Sequence, residues 1–240
     1  MNNDELRQRL EFYRDLGVKE IFRSAAPPVT VEAKPSPSVL PPVLPSLAPE
    51  NDTLDAILQD IGECRRCRLS EARKKIVFGS GDASAKLVFV GEGPGADEDA
   101  QGVPFVGRAG QLLTQMIEGT ASKEGIPIGR PDVYICNVVK CRPPENRTPQ
   151  PDEMEICGQF LFRQLSAIRP KAICALGSTA AKALLGTKDG VTKLRGNWHK
   201  WRDIPVMVTY HPSYLLRPYN QNAKRESWED LKKVLHYVYD

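Results

Sequence analysis

VFVGEGPGADEDAQGVPFVGRAGQLL, residues 88–113, runs from an apolar stretch through a glycine–proline turn into a segment with helical spacing. A strand, a glycine-rich exit and a helix open a parallel α/β unit, and such units gather ligands at the carboxyl ends of their strands. Gly91, Gly93 and Gly95 let the main chain come close to a ligand, so that its amides can face carbonyls or phosphates. Neither G-x-G-x-x-G nor G-K-S/T is present, which argues against a dinucleotide or nucleoside triphosphate site. Phe105, between Pro104 and Val106, reads either as a core side chain or as a stacking platform.

Outward from this stretch the pattern repeats. Apolar runs at 85–92, 133–140, 171–177 and 204–211 read as buried parallel strands. Helical segments at 107–119, 152–169 and 179–185 separate them, and 226–239 closes the chain. Asp52 or Thr53 can cap a helix over 54–61. The expectation is a three-layer α/β/α domain over residues 51–240, with a central four-stranded parallel sheet. Upstream, residues 25–50 carry eight prolines and read as a linker. Within residues 1–24, the span 4–23 reads as an accessory amphipathic helix able to dock on a protein partner.

No run of eighteen apolar residues exists and the N-terminus is polar, so a soluble, cytoplasmic monomer away from membranes is expected. Residues 1–129 hold 15 Lys/Arg and 19 Asp/Glu, whereas residues 130–240 hold 18 and 11. The second half is therefore +7 against −4, consistent with a polyanion-facing surface or with an uneven solvated one.

Six cysteines occur. Cys136 and Cys174 sit in apolar strand runs and read as small buried thiols. Cys64 and Cys67 form CRRC, while Cys141 and Cys157 bound a proline-rich, charged loop. Disulfides are not expected in a cytoplasmic chain. Four thiolates suit an iron–sulfur cluster or tetrahedral zinc, and a redox CRRC is a third reading. The 73 residues between the two pairs are unlike a compact zinc ribbon.

GEGPG with its acidic run and GVPFVGRAGQLL, NVVKCRPPENRTP, and HPSYLLR occur in this order. The ordered set resembles the family-4 uracil-DNA glycosylases, the iron–sulfur branch of the uracil-DNA glycosylase superfamily, over residues 55–240. The resemblance implies a monofunctional glycosylase that releases uracil from single- or double-stranded DNA and starts base excision repair. It implies a structural 4Fe-4S cluster on Cys64, Cys67, Cys141 and Cys157. It also implies that uracil lies near Gly91 and Gly93, stacks on Phe105 and is read by Asn137, with Glu98 crowding its C5 position. Glu92 would orient or activate water, and His211 would donate to uracil O2. For DNA, Leu215 is the implied wedge, with Ser213, Leu216 and Arg217 beside it; apart from the resemblance, the basic Lys193 and Arg195 read as candidate phosphate contacts. A non-catalytic iron–sulfur DNA-binding or damage-sensing module, polymerase-associated through residues 4–23, is the alternative.

Overall fold

The computed structural model describes residues 52–217 and 219–240; the accessory helix and proline-rich linker expected upstream lie outside them. The described chain begins with α1 (Leu54–Ile61), capped by Thr53, whose Oγ1 accepts from the Ala56 amide at 3.1 Å. Next come β1 (Ser80–Gly81), β2 (Leu87–Gly91), α2 (Ala96–Gln101), α3 (Arg108–Glu124) and β3 (Tyr134–Asn137). They are followed by α4 (Pro151–Ile168), β4 (Ala172–Leu176), α5 (Ser178–Leu185) and α6 (Val191–Leu194). The chain closes with β5 (Trp198–Trp201), β6 (Ile204–Thr209), α7 (Pro212–Leu215) and α8 (Gln221–Tyr239).

The sheet order is β1-β3-β2-β4-β6-β5. Its four inner strands are parallel and are those expected from the apolar runs. The sheet itself is six-stranded and mixed, because β1 and β5 add antiparallel edges. Neither edge carries an apolar run: β1 is two residues long, and WHKW in β5 leaves most of its side chains reaching solvent.

Alternation along the inner strands divides the core between the two faces. Val88, Val90, Cys136, Ile173, Val206 and Val208 pack toward α1, α4 and α5. Leu87, Phe89, Ile135, Cys174 and Met207 pack toward α3 and α8. Each such side chain, removed from water, contributes about 1.5–3 kcal/mol before conformational entropy is set against it. From β2 the chain passes to β3 on one side and then to β4 on the other, opening a crevice at their carboxyl ends.

Candidate active site

The crevice holds a cavity of about 340 Å³. Its floor is the strand exits: Glu92 to Gly95 after β2, Asn137 at the end of β3, Leu176 to Ser178 after β4, and His211 after β6. Phe105, Ala109, Pro143, Asn146 and Arg147 wall it. Gly91 lies beneath: a Cβ there would fall 2.4 Å from Asn137 Oδ1 and 2.6 Å from Phe105 Cζ. Only a glycine admits both groups over the main chain.

Phe105 is buried in the apolar cluster and also forms the cavity wall, so the two readings of this residue merge. Its φ of 53° lies in the left-handed region, which costs a phenylalanine on the order of 1–3 kcal/mol unless its surroundings hold it there. They do so from two sides. Glu98 Oε1 accepts from the Val106 and Gly107 amides, both at 2.9 Å, and Oε2 accepts from the Gly95 amide at 3.1 Å. Behind the turn, Arg130 donates to Pro104 O at 2.7 Å and to Thr114 Oγ1 at 2.8 Å. Glu98 thus forms part of the wall while its carboxylate is committed to the Phe105 turn, a role that spacing gave no means of reading.

Asn137 is buried, and its side-chain Oδ1 has no hydrogen-bond partner among the described residues. Its main-chain oxygen is held by the fully buried Lys140 at 2.8 Å, whose Nζ also donates to Gln164 Oε1 at 2.5 Å. Glu92 accepts from the Thr179 hydroxyl. The His211 ring stands 5.7 Å from that of Phe105, centroid to centroid. Its Nδ1 accepts from the Ser213 amide at 3.2 Å and contacts Ser213 Oγ at 2.7 Å. An amide can only donate, so the neutral ring carries its proton on Nε2. Desolvation by the cavity walls pushes the imidazole pKa down to about 4, against the upward pull of Glu98.

Cys64, Cys67, Cys141 and Cys157 line one small second cavity with Arg73 and Lys140. The Lys140 amide donates to Cys157 Sγ at 3.2 Å, and Arg73 donates to Cys141 Sγ at 3.5 Å and to Cys64 O at 2.5 Å. Burial pushes the Cys157 thiol up to about 12 and raises Cys67 and Cys141. Among the described residues, no three or more His, Cys, Asp or Glu side chains converge as a set for one metal ion. The donor set is nonetheless all sulfur, with N–H donors aimed at two of the four, and this chemistry fits a thiolate-held group.

Residues 78–232 match the model of the uracil DNA glycosylase superfamily. A type-4 uracil-DNA glycosylase of Thermotoga maritima is 44% identical over 189 residues, covering 78% of this chain and 95% of that protein. Those of Archaeoglobus fulgidus and Sulfurisphaera tokodaii are each 42% identical over 191 residues, covering 76% of this chain and 92% and 84% of theirs. The chain belongs to the type-4 uracil-DNA glycosylases.

In this type-4 chain the segment after β6 differs from expectation. Leu215, read as the wedge, is 1% exposed and packs inward, because one turn of α7 rotates it away from solvent. Leu216 is half-buried, and Ser213, Tyr214 and Arg217 are exposed. Lys193 is free on the surface at 74% exposure apart from an ion pair with Asp189 at 3.0 Å. Arg195 is not a free cation: at 17% exposure it pairs with Asp230 at 2.8 Å and donates to Glu226 O at 2.9 Å. Asp230 in turn accepts from Thr209 Oγ1 at 2.8 Å, so Arg195 serves to fix the end of β6 just before His211.

Thr179 as the partner of Glu92, Lys140 under Asn137 and Arg130 behind Phe105 had no separate signal in the sequence. Ser178 and Thr179 were legible only as a helix start. Among the described residues no helix is long and apolar enough to cross a membrane.

Proposed function

We infer that the chain hydrolyses the N-glycosidic bond of deoxyuridine in DNA, releasing uracil and leaving an abasic site for base excision repair. The target base is reached only after extrusion from the stack into a pocket that reads it. The observation that carries the reading is Asn137 Oδ1, a buried acceptor without a partner in the wall of the cavity. Leaving such an atom unpaired costs about 1–3 kcal/mol, a cost that a ligand N–H removes. Oδ1 accepts from uracil N3–H and Nδ2 donates to O4. Cytosine presents the opposite donor and acceptor at both positions and is refused.

Phe105 supplies the stacking face. As the bond between N1 and C1′ breaks, its electron pair passes to the uracil ring and charge builds on O2. The neutral His211 donates from Nε2 to that oxygen and so favours the transition state over the ground state. Glu92, oriented by Thr179, holds water toward C1′; the water oxygen bonds to carbon and its proton passes to the carboxylate.

Cys64, Cys67, Cys141 and Cys157 would hold a 4Fe-4S cluster, which when bound cross-links the CRRC segment to the loop after β3. Hydrolysis of this bond transfers no electrons, so the chain's own residues perform every step. A DNA-gripping module without activity would have no use for a buried, unpaired amide oxygen beside a strained phenylalanine.

Purified protein should release uracil from a uracil-containing oligonucleotide without added metal and leave alkali-labile sites. Intact strands at stoichiometric, cluster-loaded enzyme would overturn the assignment.

A further inference from the structure

The rim beside His211 carries a row of stacked groups that the hydrolysis does not use. Arg195 lies 5.6 Å over the Tyr210 ring, Tyr210 and Tyr214 stack at 5.2 Å with 23° between their planes, and Arg217 lies 5.7 Å over Tyr214. The inner end is anchored, because Arg195 is fixed by Asp230 and by the Glu226 main-chain oxygen. The outer end opens to solvent, with Tyr214 38% exposed and Arg217 exposed. The main chain of Tyr214 is pinned, its amide donating to His211 O at 2.9 Å and its carbonyl accepting from Asn220 Nδ2 at 2.7 Å.

A rigid, partly exposed aromatic ring backed by a second ring and flanked by a guanidinium is how proteins hold bases without reading their sequence. Leu215, turned into the core, leaves Tyr214 as the exposed aromatic surface of the α7 turn. We propose that Tyr214, backed by Tyr210, is a stacking site for one unpaired DNA base adjoining the uracil pocket. Arg217 yields the ring to the base and moves to a neighbouring phosphate. The inference rests on DNA being the ligand of the uracil pocket. Its ligand chemistry is the π-face of a base left unpaired, either by the strand being single or by extrusion of the uridine from a duplex.

The probe is 2-aminopurine, whose fluorescence falls on stacking. One arm uses a uracil-free single strand containing it, and the other a uracil-containing duplex with 2-aminopurine opposite the uracil. The parent protein should quench the probe. Tyr214→Ala should lose that quenching and weaken binding about tenfold, the size of one lost base stack. Tyr214→Phe should retain both, whereas Tyr214→Leu, which keeps bulk without a π-system, should behave like the alanine variant and so separates stacking from a folding defect. The arm that depends on Tyr214 identifies the source of the base. Equal quenching and affinity for parent, alanine and leucine variants in both arms would overturn the proposal. The single-strand arm requires no excision, so a failure of uracil release and a failure of this stacking site are read separately.

Discussion

The uracil pocket and the cysteine cavity share one loop, with Asn137 at the end of β3 and Cys141 four residues later, yet they use hydrogen bonds in opposite ways. At the pocket, capacity is left open: Asn137 Oδ1 is buried unpaired, and His211 keeps a proton on a desolvated ring. At two of the four cysteines it is spent, since the Lys140 amide donates to Cys157 Sγ and the Arg73 guanidinium to Cys141 Sγ. Open capacity marks where a ligand comes and goes, and filled capacity marks where structure is held. Substitutions on the cysteine side should therefore cost stability first, and those in the pocket should cost rate first.

The largest effect is expected at the cysteines. Cys141→Ala or Cys157→Ala should lose iron and visible absorbance and melt far below the parent, with excision vanishing together with the fold. Iron analysis, thermal melts and the excision assay on the same samples test this. A variant that kept the parent Tm and lost only excision would break the contrast by placing the cysteines in the chemistry.

His211→Ala should do the reverse, lowering kcat about 10²–10³-fold, the usual cost of one donor to a developing anion, while the melting temperature stays near that of the parent. The pH profile sharpens the point. His211 titrates near 4 in the fold against an ordinary 6.5, so the unfolded chain binds more protons between those values. Its contribution to stability is complete above about pH 6.5 and is lost as pH falls through about 4. The rate should not fall as pH rises through about 4, because the working form is the neutral ring. A fall in kcat with that midpoint, ascending toward acid, would mean that a charged imidazole does the work.

Much of this was legible beforehand, and the pattern of what was not is physical. Apolar runs announced the four inner strands because each strand is covered on both faces, so burial shows directly in composition. Rule-bound geometry then put Glu92, Asn137 and His211 at strand ends, where a doubly wound sheet gathers its ligands. Edge strands escaped because a covered face is what makes a run apolar: β1 is two residues long, and β5 buries only Trp201. Leu215 and Leu216 are neighbours of equal apolarity, and only the single turn of α7 decides which of them turns inward. Arg195 and Asp230 are thirty-five positions apart, and Glu98 meets amides eight and nine residues onward. No local period encodes which charge will find which partner, so a buried ion pair and a free phosphate contact look alike in sequence.

Glu153 offers the smallest and most discriminating test, because it touches both regions. Its carboxylate is fully buried and accepts from Arg147 of the pocket wall at 2.6 and 2.8 Å, from Arg68 just after Cys67 at 3.0 Å, and from the Gln150 amide at 2.8 Å. Arg147 above all holds its pKa down to about 2, so this clamp stabilises the fold fully above about pH 4.5 and fades as pH falls toward 2. The two guanidiniums are 34% and 55% exposed, and solvent recovers them when the carboxylate is gone. Glu153→Ala should therefore cost only about 1–2 kcal/mol of unfolding free energy. Arg147 would then drift at the pocket mouth, raising KM a few-fold while kcat and iron content hold. Denaturant titration and steady-state kinetics together decide the matter. A fall in kcat as large as that of His211→Ala would mean that the clamp reaches into the chemistry. Unchanged stability and KM would mean that the two regions, though built on one loop, do not communicate through Glu153.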